Sequence, residues 1–252
     1  MSDLFWLSNA QMARLESCFP KSHGRPRVDD RRALSGIISI NRNGLCWRDA
    51  PAEYGPHKTL YNRWKRWSDK GVFARIVAGL AAECREKNTV MIDATDLKAH
   101  RTVTSMGGEK GGRGRLIGRT KGGMNTKLHA ICDSQGRPLN LFVTAGQVSD
   151  YIGARASQSS LPDVGWLLGD RGYDADWFRK ALEDNGIRAC IPGRKQRRTT
   201  VKYDKRRSKR RNRIEITFDR LKDWRRVATR YDRCPKVFLS AIALDATVIY
   251  WL

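Results

Sequence analysis

The sequence predicts an α/β fold, with a mixed sheet flanked by helices and preceded by a small all-helical region. Up to residue 88 apolar residues recur at helical spacing, whereas from residue 89 short apolar runs typical of strands alternate with helical segments. Hydrophobic residues make up 40% of the 252 residues and include eight Trp, which is enough apolar surface to offset chain entropy. We therefore expect two domains, residues 1–88 and residues 89–252.

The predicted helical domain contains three recognisable helix signals. Ser8 is suited to cap a helix that begins near Asn9, and a second helix is predicted over residues 28–41. A third helix follows the break at residues 55–56, with Leu60, Trp64 and Trp67 at i, i+4 and i+7 on one face.

The third helix also carries basic residues on its other faces. Those predicted to meet phosphate are Lys58, Arg63 and Arg66. An apolar stripe that fixes a helix while its basic side faces outward is typical of a small DNA-reading module. A surface helix whose charges are merely solvated remains the alternative.

From residue 89 the predicted order is strand, hairpin of two strands, helix, strand, helix, strand and then helices. The strands are expected over residues 89–95, 128–132, 139–144, 164–170 and 187–191, and the helices between them over 149–157 and 175–185. Residues 101–127 are rich in glycine and cations and are expected to form a flexible basic loop. A charged helix over residues 205–226 and an apolar helix over 235–252, packed under the sheet, complete the prediction.

The charge of the chain points to a polyanionic partner. The formal net charge is +23, far above the magnitude of ~2–8 that solubility requires of a small domain. Residues 194–230 contain 17 Lys and Arg against four acids, a net of +13. Nucleic acid is favoured over a membrane because the chain has no run of ~18 apolar residues. The N-terminus has no secretory signal pattern and the six cysteines form no Cys-x-x-Cys pair, so a cytoplasmic protein is expected.

Three acids stand out within this basic chain. Asp93 and Asp170 lie at or near the ends of predicted strands, and Glu215 lies on the charged helix. If the sheet brings them together, their repulsion requires a cation, and carboxylate oxygens suit Mg²⁺ or Mn²⁺. Two such ions ~3.5–4 Å apart can assist an in-line displacement at phosphorus, so the pattern predicts a phosphodiester enzyme acting on nucleic acid.

Each of these acids has a neighbouring alternative. Asp96 falls three residues after Asp93, on the opposite strand face if the strand continues. Near Asp170 the alternatives are Asp174 and Asp176, which are better interpreted as caps of the next helix. Asp219 lies one turn beyond Glu215 and could instead be an ion-pair partner of Arg211 or Lys222.

These residues resemble the motifs of insertion-sequence DDE transposases of a large bacterial group. That group has Asp-x-Thr, Asp-x-Gly with a downstream Phe, and Tyr-x2-Arg-x3-Glu-x6-Lys. The matching residues here are Asp93-Ala94-Thr95, Asp170-Arg171-Gly172 with Phe178, and Arg211, Glu215 and Lys222. Residues 47–51 and 55–67 also resemble the helical end-binding region of the group, so the resemblance covers nearly the whole chain.

The resemblance implies a ribonuclease-H-like catalytic domain over residues 89–252 and a DNA-end-binding domain over residues 1–88. It implies two Mg²⁺ ions, replaceable by Mn²⁺, held by Asp93, Asp170 and Glu215. Thr95 and Gly172 would support them, while Arg211 and Lys222 would flank the acid where phosphate sits. The expected partners are double-stranded DNA of the element's terminal inverted repeats, target DNA, and further copies of the chain on that DNA.

One motif position departs from the group. The tyrosine that helps hold DNA near the cut site is replaced by Ser208. Two alternatives to an active transposase therefore stay open: a catalytically inactive DNA-binding repressor or decayed copy, and a ribonuclease-H-like nuclease that cuts without joining.

Overall fold

The computed structural model describes residues 4–20, 29–83, 88–105, 113–157 and 161–252. The helices are α1 (Asn9–Glu16), α2 (Asp30–Asn43), α3 (His57–Asp69), α4 (Val72–Ala82), α5 (Arg101–Thr104), α6 (Asp150–Ser157), α7 (Asp176–Asp184), α8 (Lys205–Lys209), α9 (Asn212–Lys222), α10 (Arg225–Ala228) and α11 (Pro235–Tyr250). The strands are β1 (Thr89–Ala99), β2 (Gly118–Thr120), β3 (Gly123–Asp133), β4 (Pro138–Ala145), β5 (Trp166–Leu168), β6 (Arg188–Cys190) and β7 (Thr229–Arg230).

The N-terminal region is helical, as predicted. Ser8 caps α1 through a reciprocal pair of bonds with Gln11, in which each side chain accepts from the other residue's backbone N–H. Helix α2 begins at Asp30, and the predicted start of that helix at residue 28 lies outside the described residues. Leu60 and Trp67 of α3 are each 1% exposed, so the predicted apolar stripe of α3 is confirmed.

The expectation that Arg63 lies on an exposed basic face of α3 is wrong. Its side chain is buried, forms an ion pair with Asp30 of α2 and lies 5.7 Å from the ring centroid of Trp67. Because the guanidinium neutralises a partly buried carboxylate, it holds α3 against α2 instead of facing solvent. Lys58 and Arg66 do lie on exposed positions of α3.

The second half of the chain, from residue 89, contains a seven-stranded mixed sheet. Its main order is β2-β3-β1-β5-β6, with β4 also paired to β3 and β7 also paired to β1. Strand β1 is antiparallel to β3 and parallel to β5, and β3 and β4 form the predicted antiparallel hairpin. The prediction of a mixed sheet preceded by helices is confirmed.

Two predicted boundaries are wrong because long-range pairing extends the strands. Strand β1 continues to Ala99, since Lys98 pairs with Asn125 of β3 and with Thr229 of β7, so Asp93 lies mid-strand and not near its end. The predicted loop over 101–127 instead contains α5, β2 and the start of β3, and its residues 106–112 lie outside the described residues.

Helices cover both faces of the sheet. Val90, Ile92 and Ile131 face a core formed with α6 and α7, whereas Met91, Leu97 and Leu128 face a core formed with α9 and α11. Helix α11 packs as predicted under the sheet, against β4, and also against α3 and α4. Within the described ranges, no helix is both long and apolar enough to span a bilayer.

Candidate active site

The parallel pairing of β1 with β5 places Asp93 and Asp170 at the same level of the sheet. Met91 pairs with Leu168, the last residue of β5, and each aspartate follows two residues later. Asp170 itself opens a short turn over Arg171–Tyr173, where its Oδ1 accepts the backbone N–H of Gly172 at 2.8 Å. The register therefore brings together two acids that are 77 residues apart in the sequence.

Glycine is required at position 172 by close packing. A Cβ built there would lie 2.9 Å from Oδ1 of Asp170 and 3.3 Å from Oδ2 of Asp150. Any side chain would push the Asp170 carboxylate out of this turn. The backbone of Gly172 therefore lies in close contact with the Asp170 carboxylate, to which its N–H donates.

Alternation along β1 separates Asp93 from its rival Asp96. Asp93 and Thr95 point to the face covered by α9, whereas Asp96 is exposed on the other face, opposite Lys127 of β3. The interpretation that a continuing strand would send Asp96 away from the site is confirmed.

Arg211 joins two of the three acids. Its Nη1 donates to Oδ2 of Asp93 at 2.6 Å, and its Nη2 donates to Oε1 of Glu215 at 2.5 Å. A short interruption between α8 and α9, in which Arg210 and Arg211 keep helical dihedral angles, makes Arg211 the N-cap residue of α9. The predicted continuous helix over 205–226 is therefore wrong, and the break sets the start of the helix that carries Glu215.

The local electrostatics oppose ionisation of Asp93. Burial is the largest cause that raises its pKa, to about 6, and the nearby charges of Asp170 and Glu215 raise it further. The N–H of Ala94 and the Arg211 guanidinium act in the opposite direction. Asp170 and Glu215 are therefore both close enough to Asp93 to affect its ionisation.

Lys222 holds the far end of α9 on the same strand. Its Nζ donates to Oγ1 of Thr95 at 2.7 Å. Across the described ranges, neither Arg211 nor Lys222 pairs with Asp219, which is exposed. Thr95 therefore supports α9, and Asp219 does not take the ion-pair role left open for it.

An open cleft of about 580 Å³ lies beside these acids. It is lined by Asp170, Arg211 and Glu215 and by further basic residues, including Lys205 and Lys209. The lining also includes Ser208 and Tyr203. The position of the missing motif tyrosine thus lies in the same cleft as two of the acids.

Sequence reasoning missed the network that supports the Asp170 turn. Asp174 and Asp176 were expected to cap α7, but its N-cap is Ala175 and the Asp174 carboxylate is buried. Asp174 accepts from the backbone N–H of Arg194 at 2.7 Å and from two arginine side chains, Arg179 and Arg197.

The same network reaches the turn itself. The Arg194 side chain donates to the carbonyls of Arg171 and Gly172. Asp174 therefore anchors the segment that fixes the Asp170 turn. The local sequence offers no signal for this network, because its partners come from two separate segments.

The donor set of Asp93, Asp170 and Glu215 fits hard divalent cations. All three offer carboxylate oxygens, the ligands that Mg²⁺ and Mn²⁺ prefer, and in this metal-free arrangement the Arg211 guanidinium pairs with two of them. Within the residues that the structure describes, no three acidic, His or Cys side chains are arranged closely enough to hold an ion.

Comparison with known proteins gives matches over both halves of the chain. Residues 85–251 match the family model described as "Transposase DDE domain", and residues 7–77 match the one described as "Putative transposase of IS4/5 family". A protein of Brucella ovis named "Putative transposase for insertion sequence element IS6501" is 35% identical over 130 residues, covering 51% of this chain and 99% of its own length. A similarly named Burkholderia cepacia protein, for IS402, is 29% identical over 156 residues, covering 54% of this chain and 72% of its own length.

One solved structure shares the fold across nearly the whole chain. The piggyBac transposase, determined as a synaptic complex with hairpin DNA, gives a TM-score of 0.53 at 10% identity and covers 95% of this chain and 70% of that one. This likeness confirms the predicted ribonuclease-H-like fold. With the DDE domain model matched over residues 85–251, the chain belongs to the family of DDE transposases.

Proposed function

We propose that this protein cuts DNA at the ends of an insertion sequence and joins the freed 3′-hydroxyls to target DNA by two-metal phosphodiester transfer. The observation that carries the proposal is the proximity of three acids: the β1–β5 register places Asp93 and Asp170 at one level of the sheet, and Arg211 joins Asp93 to Glu215 of α9. If the three acids had a purely structural role, they would be buried together with the cations that neutralise them. Here, however, Glu215 is 47% exposed and borders an open basic cleft, so a substrate can reach it.

The residues take complementary roles in this proposal. Asp93, Asp170 and Glu215 would hold two Mg²⁺ or Mn²⁺ ions, which would supply stabilisation of the negative charge that develops at phosphorus. Arg211 keeps Asp93 and Glu215 oriented toward each other. Lys222 fixes α9 through Thr95, so that the Glu215 carboxylate keeps its place beside β1.

The DNA-binding roles rest on charge and exposure. Residues 1–88 would bind the element's terminal inverted repeats, with Lys58 and Arg66 of α3 contacting phosphates, while residues 89–252 carry the chemistry. The cleft cations Lys205 and Lys209 would hold the DNA near the acids. We propose that the protein works in the bacterial cytoplasm and that copies of the chain assemble on DNA to pair the two ends.

A strand-transfer assay tests this function. Purified protein is incubated with Mg²⁺, labelled DNA that carries the element's terminal repeats, and a target plasmid. We expect nicked ends and joined products, and we expect Asp93→Ala and Asp170→Ala to abolish both. Asp96→Ala, an exposed acid on the same strand, is the matched control and should leave both intact.

The same assay separates the alternatives. Binding without cutting would support a DNA-binding repressor and contradict the enzyme, whereas cutting without joining would support a nuclease. Ser208 gives the repressor alternative a specific basis, because it replaces a tyrosine in the cleft beside the acids. If Ser208→Tyr restores cutting to a protein that otherwise only binds, the copy has decayed at that position.

A further inference from the structure

A second cleft lies between α3 and the loop that joins β7 to α11. Its volume is about 320 Å³, at the lower end of the ~300–1,000 Å³ typical of ligand pockets. One wall is formed by Tyr61 and Lys65 of α3, and the other by Tyr231 and Arg233 of the loop. It shares none of its lining residues with the cleft beside the acids.

The cleft presents aromatic faces that the fold does not bury. Tyr61 and Tyr231 are each 44% exposed, and among the described residues only Tyr151 is a comparably exposed tyrosine. Each cleft tyrosine already contacts one ring: Tyr61 meets Trp47 edge-on with centroids 5.5 Å apart, and Tyr231 lies 4.6 Å from His100. These contacts fix the two rings while leaving part of each open to solvent.

The loop wall is held rigidly from behind by Arg230. This fully buried residue donates to the carbonyls of Asp232 and Arg233 and to Oγ1 of Thr126. Such a set of bonds fixes the backbone on which Tyr231 and Arg233 sit. The loop is therefore a preformed surface, which lowers the entropic cost of binding.

Arg226 lies behind the cleft, between Asp232 of the loop and Trp47, the ring that Tyr61 contacts. Its guanidinium lies 4.0 Å from the Asp232 carboxylate and 5.5 Å from the Trp47 ring centroid, and it also donates to the carbonyl of Leu45. The acid of the cleft is thus paired internally, which leaves Lys65 and Arg233 as its cationic groups. A cleft with flat aromatic walls and a positive rim suits a flat, polar ring attached to a phosphate backbone.

We infer that this cleft binds an unpaired nucleobase of the DNA, stacked against Tyr61 or Tyr231, with Lys65 and Arg233 contacting the flanking phosphates. Base stacking on aromatic side chains with nearby cations is how proteins hold single-stranded nucleic acid. A duplex phosphate alone would not use the apolar floor made by Trp64 and Val237. The inference rests on the proposed action on DNA and adds a base-binding site to it.

The sheet relates this cleft to the acids. Ala99, at the end of β1, pairs with Arg230 at the base of the loop. From Asp93 to Ala99 the strand rises about 20 Å, roughly the length of six stacked nucleotides.

Fluorescence of 2-aminopurine tests the inference, because stacking on an aromatic ring quenches it. The probes are a single-stranded oligonucleotide with one 2-aminopurine and a duplex of the same sequence, both in EDTA to prevent cutting. We expect the wild-type protein to quench the single-stranded probe. We expect Tyr61→Leu or Tyr231→Leu to reduce that quenching and to weaken single-strand binding by about 5- to 150-fold, with a smaller effect on the duplex. Tyr151→Leu, at a comparably exposed tyrosine of α6, is the matched control and should change neither the quenching nor the binding.

Other outcomes overturn the inference or the function separately. Unchanged quenching and affinity in both cleft variants would overturn base binding, as would an equal loss for single strand and duplex, which indicates phosphate contact alone. A wild-type protein that binds no DNA would refute the proposed function together with this inference. Quenching by a protein that does not cut DNA in Mg²⁺ would support the cleft and contradict the proposed function.

Discussion

Replacing Asp93 with Asn should stabilise the metal-free protein at pH 8. The pKa of Asp93 is raised from 3.8 to about 6, mainly by burial and further by Asp170 and Glu215. Below pH 3.8 the carboxyl is protonated in both the folded and the unfolded chain, so it does not change the free energy of unfolding. Between pH 3.8 and 6 the unfolded chain ionises first and stability falls, and above pH 6 the loss is constant. A shift of about two units corresponds to about 3 kcal/mol.

Thermal denaturation from pH 4 to pH 8 in EDTA measures this difference. An asparagine cannot ionise, yet its side-chain oxygen can still accept from Arg211. We therefore expect Asp93→Asn to raise Tm at pH 8 by about 6–12 °C, from about 2–4 °C per kcal/mol for a chain of this size, with no increase at pH 4. Asp96→Asn, exposed on the other face of β1, is the matched control and should show no such pH-dependent gain.

Metal provides a second measurement on the same pair of proteins. A divalent ion that binds the folded wild-type protein stabilises it by RT ln(1 + [L]/Kd), about 2.7 kcal/mol at 100 times Kd. Saturating Mg²⁺ should therefore narrow the gap between wild type and Asp93→Asn at pH 8. The reasoning is refuted if Asp93→Asn is no more stable than wild type at pH 8, or if the gap is the same at every pH.

Three further predictions test other parts of the molecule. Glu215→Gln should slow cutting of terminal-repeat DNA by at least ~100-fold through the loss of charge at the site, whereas Asp219→Asn on the next turn should leave the rate in a gel assay unchanged. Lys58→Gln and Arg66→Gln should each lower the slope of log K against log salt by about 0.9 if each contacts one phosphate, and unchanged slopes in filter binding would exclude those contacts. Asp245→Leu should raise Tm at pH 7 by an amount equivalent to about 1–3 kcal/mol. Neither oxygen of this fully buried carboxyl has a hydrogen-bond partner among the described residues, and burial raises its pKa well above the usual value. If the gain in Tm did not shrink below pH 4, the explanation that the ionisable carboxyl destabilises the fold would be contradicted.

Features set by local pattern could be predicted from the sequence. The apolar stripe of α3, the cap at Ser8 and the β3–β4 hairpin follow from spacing, capping and turn residues that lie within a few positions of one another. The placement of Asp93 and Asp96 on opposite faces of β1 also followed from strand alternation. In each case the interacting residues lie close together in the sequence, so the residue types and the spacing of apolar residues are enough to predict the feature.

Features set by distant partners could not be predicted. Arg63 looked like a surface cation until α2 supplied Asp30, 33 residues away, and β1 looked short until β3 and β7 extended it. The break before α9 has no glycine or proline to mark it. The ion pair that Arg211 makes at this interruption is with Asp93, 118 residues away, so the local sequence gives no signal for it.

The spacing of the Arg-x3-Glu-x6-Lys motif has a mechanical explanation in this fold. Arg211 and Lys222 stand about 16 Å apart along the helix axis, yet they bind Asp93 and Thr95, which are about 7 Å apart on β1. Two long side chains can lean together from the ends of α9 and span that difference. At 100° per residue, Glu215 and Lys222 fall about 40° and 20° from Arg211, so all three lie on one side of α9. A one-residue change in either spacing would rotate one of these side chains by about 100° around α9. Either the hydrogen bond from Lys222 to Thr95 or the ion pair between Arg211 and Glu215 would then be lost.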